Sequence, residues 1–168
     1  EITISNTTPS ELHFQCAFHG YMGDAAYTSL GTTTADGTTG AYTITPAELS
    51  DGDYSLTVTA TDAAGNISAA SSALNLTVDT TTPAQPAITT TTTLTTDATP
   101  TIEGTAEAGS TVTLLSSGVA IGTTTANGDG QFSITTSTLA DSNYVLTVTA
   151  TDAAGNISDA SDALSITI

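Results

Sequence analysis

The sequence predicts an all-β protein built as two tandem immunoglobulin-like antiparallel β-sandwiches. Short segments in which apolar and polar residues alternate recur along the chain, and no helical period appears. The stretch LTVTATDAAGNIS occurs twice, at 56–68 and again at 146–158. Such a repeat indicates two domains of similar build, and we predict them at 1–79 and 80–168 of the 168 residues.

The second domain shows the strand number and spacing of an immunoglobulin-like sandwich. Turn-forming residues separate its seven alternating segments, which are PAITT, TPTIEGTA, STVTLLSSG, VAIGTTTA, GQFSITT, SNYVLTVTATD and the segment around Leu164. We expect DAAGN to join the last two strands as a hairpin, because Gly and Asn tolerate the positive φ angles of a tight turn.

Each domain has a tyrosine at the start of its predicted sixth strand. Tyr54 follows LSDGD and Tyr144 follows LADSN. A tyrosine at this place in an immunoglobulin-like sandwich commonly bonds back to the chain across the preceding turn. We therefore predict a tyrosine corner in both domains.

The first domain follows the second from residue 31 onward, but its first thirty residues depart from the repeat. The segment ELHFQCAF still alternates, and we expect it to replace TPTIEGTA as the second strand. The boundary falls in VDTTTPAQP at 78–86, where Pro83 and Pro86 restrict the backbone. A short, extended linker is predicted there.

The charge balance limits the partners. The chain has no Lys or Arg and 17 acidic residues, so its formal net charge is −17. Nucleic acid is excluded as a partner because phosphate binding depends on Lys and Arg. Without a run of about 18 apolar residues, membrane insertion is not expected. Asp-rich loops suit Ca²⁺, although an acidic surface also simply keeps proteins soluble.

The repeat resembles a known family. The segments VDTTTPAQP, TTDATPTIEGTAEAGSTVTL, GTTTANGDGQFSIT and LADSNYVLTVTATDAAGNIS are similar to the tandem bacterial immunoglobulin-like repeats of giant secreted adhesins, the biofilm-associated and RTX-type surface proteins. The resemblance implies a stalk outside the cell whose partners are neighbouring repeats. It also implies Ca²⁺ at the junctions between domains and no catalysis by the repeats.

The order of strands in a sandwich makes the calcium expectation specific. Successive strands alternate in direction, so the linker, the AEAGS turn and the second TDAAGN turn meet at one end of the second domain. Asp79, Glu107 and Asp152 are the predicted ligands there, and Asp51 and Asp53 of the first domain face them. Three or four carboxylates together with main-chain or water oxygens satisfy Ca²⁺.

Further acids are predicted to form half-sites at the outer ends. Asp62 lies in the first TDAAGN turn, while Asp97 and Asp141 lie at the far end of the second domain. The alternative is that aspartates in these turns only cap them through bonds from side chain to backbone.

The segment CAFHGYM resembles the ligand loop of cupredoxins. It places Cys16, His19 and Met22 at spacings that suit a blue-copper centre, which binds a thiolate, imidazoles and a weak thioether. Such a centre needs a second histidine, and His13 is expected on the opposite face of its strand. The ordinary alternative is that Cys16 is a small buried hydrophobic residue.

The leading hypothesis is a non-enzymatic stalk or filament module of an extracellular bacterial adhesin, stiffened by Ca²⁺. No G-x-S-x-G, H-E-x-x-H or Gly-rich phosphate loop is present. Filament subunits joined by strand exchange are a variant of it. A copper-binding electron carrier and a carbohydrate- or surface-binding module remain alternatives, the latter acting through Phe14, Phe18, Tyr21 or Tyr27.

Overall fold

The computed structural model describes residues 9–17 and 27–168, with side chains from residue 29 onward. The chain divides into two compact units, unit 1 at Glu1–Asp79 and unit 2 at Thr80–Ile168. The described part contains strands and no helix, so it has no helix suited to crossing a membrane. The all-β prediction is confirmed. The strands are β1 (Pro9–Ala17), β2 (Tyr27–Thr33), β3 (Gly52–Asp62), β4 (Leu74–Val78), β5 (Ala87–Ile88), β6 (Thr101–Thr105), β7 (Thr111–Ser116), β8 (Val119–Thr125), β9 (Gln131–Thr135), β10 (Asn143–Thr151) and β11 (Leu164–Thr167).

Unit 2 is a seven-stranded sandwich. One sheet has the order β11-β10-β7-β8 and the other has the order β5-β6-β9, with all pairs antiparallel. Every predicted segment of this unit forms a strand. The two sheets enclose a core of buried apolar side chains, which are Ile102, Val112, Leu114, Ala126, Phe132, Ile134, Leu146, Val148 and Ile166.

The alternating sequence of β10 explains why one of its faces lies in the core. Leu146, Val148 and Ala150 are fully buried, whereas Val145 on the other face is about half exposed. Side chains of a strand alternate between faces, so a shift of one residue would turn the apolar set to solvent. Ser117 and Gly118 form the two-residue turn between β7 and β8. Both have positive φ, as the common two-residue hairpin turn requires.

The described part of unit 1 is a single four-stranded antiparallel sheet with the order β2-β1-β3-β4. Its core is much smaller than that of unit 2. Tyr54 and Leu56 are buried, and Leu30, Leu49 and Val78 pack against them.

The predicted place of ELHFQCAF is wrong. Most of the segment lies in β1, which pairs with the central strand β3 just as β7 pairs with β10. It is therefore the counterpart of STVTLL and not of TPTIEGTA. The register explains this, because Leu12 lies opposite Ala60 and Cys16 lies opposite Leu56, so the apolar positions of both strands coincide.

Both tyrosine corners are present. The Tyr54 hydroxyl donates to the Ser50 carbonyl at 2.7 Å, and the Tyr144 hydroxyl donates to the Ala140 carbonyl at 3.1 Å. Each bond spans four residues and ties the start of the strand to the turn before it. This prediction is confirmed in both units.

Candidate functional site

The two copies of TDAAGN form the same closed turn. In unit 2 the Oδ1 atom of Asp152 accepts the amides of Gly155 and Asn156 at 2.8 and 2.9 Å. The Asn156 side chain donates to Oδ2 at 2.8 Å. Asp62 of unit 1 likewise accepts two amides of its turn, together with the side chain of Asn66 at 2.8 Å.

These hydrogen bonds lower the pKa of both aspartates. The hydrogen bond from the Asn156 side chain is the main reason that the pKa of Asp152 lies below its ordinary value. The Asn66 side chain lowers the pKa of Asp62 in the same way. Three bonds occupy most of the roughly four acceptor positions of a carboxylate. Both aspartates thus cap their own turns, and a cation at either would compete with the turn.

The connection that follows each turn differs from the expected simple hairpin. β10 and β11 are antiparallel neighbours, but the chain between them is held to β10 by two serines. Ser158 donates its amide to the Ala150 carbonyl at 2.9 Å, and its hydroxyl oxygen accepts the Ala150 amide at 2.9 Å. Ser161 makes the same pair of bonds to Val148, at 2.8 and 3.0 Å.

We call the bonds of Ser158 and Ser161 to β10 the serine clasp, and unit 1 has the same arrangement. Ser68 bonds in both directions to Ala60, and Ser71 bonds in both directions to Val58. A serine hydroxyl thereby takes the role of a strand carbonyl wherever the chain bulges away. Sequence reasoning missed this device, although the shared pattern N-I-S-x-A-S-x-A-L at 66–74 and 156–164 signals it.

Two of the predicted calcium ligands lie at the end of unit 2 where β5 begins. Ala87 pairs with Thr105 and Thr111 pairs with Thr151, so the turns carrying Glu107 and Asp152 are both at this end. The segment leading into β5 is fixed to the same end. The Gln85 side chain donates to the Ala160 carbonyl at 2.6 Å, and Pro86 is buried.

Asp51, Asp53 and Asp79 lie at one end of unit 1. The register pairs Gly52 with Val78, so Asp51 and Asp79 follow at neighbouring positions beyond the paired residues. Asp53 is engaged across the strands, since the Thr77 hydroxyl donates to its Oδ1 at 2.6 Å.

The two acids predicted for the far end of unit 2 are also placed there. Asn143 pairs with Thr167 and the Thr95 amide donates to the Thr167 carbonyl, which brings the loops of Asp97 and Asp141 to the end where β11 finishes. Asp97 caps its own turn by accepting the amide and the hydroxyl of Thr99 at 2.8 and 3.0 Å.

Neither unit forms a complete calcium site from its own described residues. Among these, no group of three or more His, Cys, Asp and Glu residues is arranged to hold a metal ion. Ca²⁺ requires about six to eight oxygens. Glu107 and Asp152 supply too few, so the calcium prediction depends on carboxylates from both units together.

Most of the copper and sugar-binding residues cannot be placed in a site. His19, Met22, Phe18 and Tyr21 lie outside the described residues. The other candidates lie on strands, with Cys16, His13 and Phe14 in β1 and Tyr27 in β2. The main chain of Cys16 lies opposite Leu56, and that of His13 lies opposite Thr59.

Comparison with protein families gives one family for both units. The sequence pattern of a family described as the bacterial Ig-like domain matches residues 21–80 and again residues 85–168. No curated protein sequence matches the chain significantly.

Among solved structures, the chain is similar to fibronectin(III)-like modules of CbhA from Clostridium thermocellum, with 20% identity and a TM-score of 0.55. That match covers 99% of this chain and 82% of the other. The chain also matches a biofilm-associated protein, its BSP domain, with 22% identity and a TM-score of 0.43 over 95% of this chain and 25% of that one. A tetra-tandem repeat from the extending region of a large adhesion protein matches with 26% identity and a TM-score of 0.40, over 96% of this chain and 43% of that one. The chain thus spans a quarter to less than half of the latter two.

Proposed function

Because the chain belongs to the bacterial Ig-like domain family, we propose that it is a non-enzymatic structural module, a stalk or extender of an extracellular bacterial adhesin. The observation that carries this proposal is the path of the chain through unit 2. The chain enters at the end where β5 begins and leaves at the opposite end, after β11. A domain with this path adds its full length to a tandem array.

The sheet of unit 2 is also suited to carrying tension. A force applied between Thr80 and Ile168 enters through β5 and β11 and acts along the strands, so it shears the pairing of β5 with β6 and that of β11 with β10. Hydrogen bonds loaded in this direction must break together, whereas bonds at a peeled edge break one after another. The serine clasp adds bonds to β10 at Val148 and Ala150, beyond Leu146, which pairs with the first residue of β11.

We further propose that Ca²⁺ stiffens the joint between the units. The support is that carboxylates gather at the two ends that the connecting segment 80–86 joins along the chain. Asp51, Asp53 and Asp79 are at the end of unit 1, and Glu107 and Asp152 are at the end of unit 2. Without a cation their negative charges repel one another, and a divalent ion reverses this repulsion. Asp152 contributes only the acceptor position that its turn leaves open.

A calcium titration of the whole chain tests the joint. We expect millimolar Ca²⁺ to raise the melting temperature and to narrow the distribution of end-to-end lengths in small-angle scattering, and EDTA to reverse both effects. Asp79→Asn should remove most of the response. Asp159→Asn is the matched control, since it changes the charge equally at an exposed position with no predicted ligand role. Equal curves with and without Ca²⁺ would disprove the calcium proposal.

Single-molecule pulling tests the stalk role separately from calcium. We expect unit 2 to unfold in one discrete step when force is applied between its two ends. Ser161→Ala should lower the force of that step, because it removes a bond from Val148 in the loaded strand. Gradual extension without a resolved step would contradict a load-bearing role.

A further inference from the structure

The turn between β8 and β9 contains an asparagine followed by a glycine, Asn127 and Gly128. Every other asparagine of the sequence precedes Thr, Ile, Leu or Tyr. The main-chain nitrogen that follows an asparagine can attack the side-chain amide carbon and close a cyclic imide. Glycine favours this attack because it has no Cβ to hinder the approach. Asn127 is therefore the asparagine of this chain that is most prone to lose its side-chain amide.

The turn holds the Asn127 side chain by its carbonyl oxygen. Oδ1 accepts the amides of Asp129 and Gln131 at 3.0 and 2.8 Å, which directs the side chain toward the chain that follows it. Attack at Cγ would place a negative charge on this same oxygen. Two main-chain donors at these distances are the arrangement that stabilises an oxyanion. The nitrogen of the side chain is held only weakly, since Nδ2 lies 3.4 Å from the Gln131 Oε1.

The Gly128 amide is free to react. It makes no hydrogen bond to another residue in the part of the chain that the structure describes. Asn127 and Gly128 are both exposed, so water reaches the turn and ammonia can leave into solvent. The electrophile, the nucleophile and the donors to the oxyanion thus lie together in one turn.

We propose that Asn127 deamidates spontaneously in the folded chain. The Gly128 nitrogen forms a bond to Cγ of Asn127 and loses its proton, while the bond from Cγ to Nδ2 breaks and ammonia leaves. Water then opens the cyclic imide. Opening at Cγ gives aspartate, and opening at the main-chain carbonyl carbon gives isoaspartate. Water is the only co-reactant, and no oxidation or reduction takes place.

Unit 1 shows that aspartate suits this turn. Asp36 has the equivalent position in the repeat, and its Oδ1 accepts the amides of Thr38 and Thr39 at 3.0 and 2.7 Å. Aspartate formed from Asn127 would cap the turn of unit 2 in the same way. Isoaspartate would lengthen the main chain and disturb the main-chain bonds that close the turn.

The new charge would lie at an end of unit 2 that already carries acids. Thr111 pairs with both Thr125 and Thr151, so the turn between β8 and β9 is at the same end as Glu107 and Asp152. Deamidation would make this end more negative with time. The reaction itself is independent of calcium and of the stalk function.

The test incubates the whole chain for days at mildly alkaline pH and measures aspartate and isoaspartate by peptide mapping with mass spectrometry. We expect both products at Asn127 and neither at Asn156, which precedes Ile157. Conversion in the folded chain should be at least as fast as in a peptide of residues 121–135, because the turn holds two donors in place. Asn127→Asp provides the reference for anion-exchange chromatography, since its charge equals that of the product.

A variant at the attacking residue tests the route. Gly128→Ala should slow the conversion of Asn127 by about tenfold or more, because the added Cβ hinders the attack. The fold should be kept, since φ at Gly128 is not positive and the added Cβ would meet no atom within 4 Å.

Asp36 is a control within the same chain. It also precedes a glycine, but its hydrogen bonds, that from the Thr39 amide first, hold its pKa below the ordinary value. The carboxyl group is thus ionised at this pH, and a carboxylate resists attack by an amide nitrogen. Isoaspartate should therefore not accumulate at residue 36.

Two results would overturn the proposal. Slower conversion of Asn127 in the folded chain than in the peptide would mean that the turn protects this side chain. Aspartate as the only product, with an unchanged rate in Gly128→Ala, would mean that water hydrolyses the side chain directly and that the Gly128 nitrogen takes no part.

Discussion

The segment LTVTATDAAGNIS has the same sequence in the two units, but its surroundings differ. In unit 2, Val148 and Ala150 are completely buried between two sheets. In unit 1 the corresponding Val58 and Ala60 are only partly buried. The turn and the serine clasp are nonetheless the same in both copies.

This contrast separates local from non-local determinants of the fold. Hydrogen bonds between residues close in sequence form in both units, because the residues that make them are present in both. Burial differs because it depends on β5 and β6, which have no counterpart in the described part of unit 1. The free energy from apolar burial should therefore be much larger in unit 2.

The largest expected difference is between Ile166→Ala and Leu76→Ala, which change corresponding positions of the two units. Ile166→Ala should destabilise unit 2 by about 3 kcal/mol, since it leaves a cavity in a closed core. Leu76→Ala should destabilise unit 1 by less than about 1 kcal/mol, because this side chain is 40% exposed. Urea titrations that follow the amide signals of β10 and β3 by NMR measure each unit separately. Equal losses of stability from the two substitutions would show that Leu76 is covered in solution.

The serine clasp should give a smaller difference. Ser161→Ala should cost about 2 kcal/mol, because it leaves the buried Val148 amide without its acceptor. Ser71→Ala should cost about 0.5–1 kcal/mol, since Ser71 is partly exposed and water can replace its hydroxyl. The same titrations measure both changes. Thr111→Ala, at an exposed position of β7, is a control for the general effect of removing a hydroxyl.

The tyrosine corners are expected to differ in the opposite direction. Tyr54→Phe should destabilise unit 1 by about 1 kcal/mol, because the Tyr54 ring is buried and its bond to the Ser50 carbonyl is 2.7 Å long. Tyr144→Phe should cost about 0.5 kcal/mol, as its bond is longer at 3.1 Å and more exposed. A larger loss in unit 2 than in unit 1 would contradict this ranking.

The fold of unit 2 could be predicted from sequence because apolar and polar residues alternate within each strand and turn-forming residues separate the strands. The tyrosine corners followed from position alone. The place of β1 could not be derived, since an alternating segment fits any position where one face is buried, and only pairing with β3 decides the choice. The serine clasp was missed because its bonds join serines to strand residues up to 13 positions away.

The candidate site was predictable in part. Strand direction correctly placed Glu107 and Asp152 at one end of unit 2. Asp79 was predicted beside them, and the structure places it directly after β4 of unit 1, at a position neighbouring Asp51. The engagement of Asp152 by its own turn depends on the conformation of the Asn156 side chain, which a sequence motif does not specify. A list of aspartates therefore overstates the number of carboxylate oxygens that are available to a cation.

The smallest expected difference concerns acid. Asp36 of unit 1 accepts the amides of Thr38 and Thr39 and the Thr39 hydroxyl, and these bonds hold its pKa below the ordinary value of 3.8. Unit 2 has Asn127 at this position, which does not titrate. A carboxyl group with a lowered folded pKa stabilises the fold above its unfolded pKa, and this contribution disappears as the pH falls through the folded pKa.

As the pH falls from above the ordinary pKa of 3.8 through the folded pKa of Asp36, unit 1 should therefore lose a stabilising contribution that unit 2 does not lose at this turn. Asp36→Asn should remove this contribution, so that the free energy of unfolding of unit 1 changes less between neutral and acid pH. Asn127→Asp should introduce the same pH dependence into unit 2. Hydrogen bonds lower the pKa of both Asp62 and Asp152, so these two aspartates act in the same direction in the two units. Because the Asp36 carboxylate is exposed, the loss of stability in acid should be small. Salt screens interactions between charges, so a loss that comes from hydrogen bonds alone should change little with ionic strength. The same pH dependence of the free energy of unfolding in the wild type and in Asp36→Asn would show that the ionised Asp36 and its hydrogen bonds do not stabilise the fold.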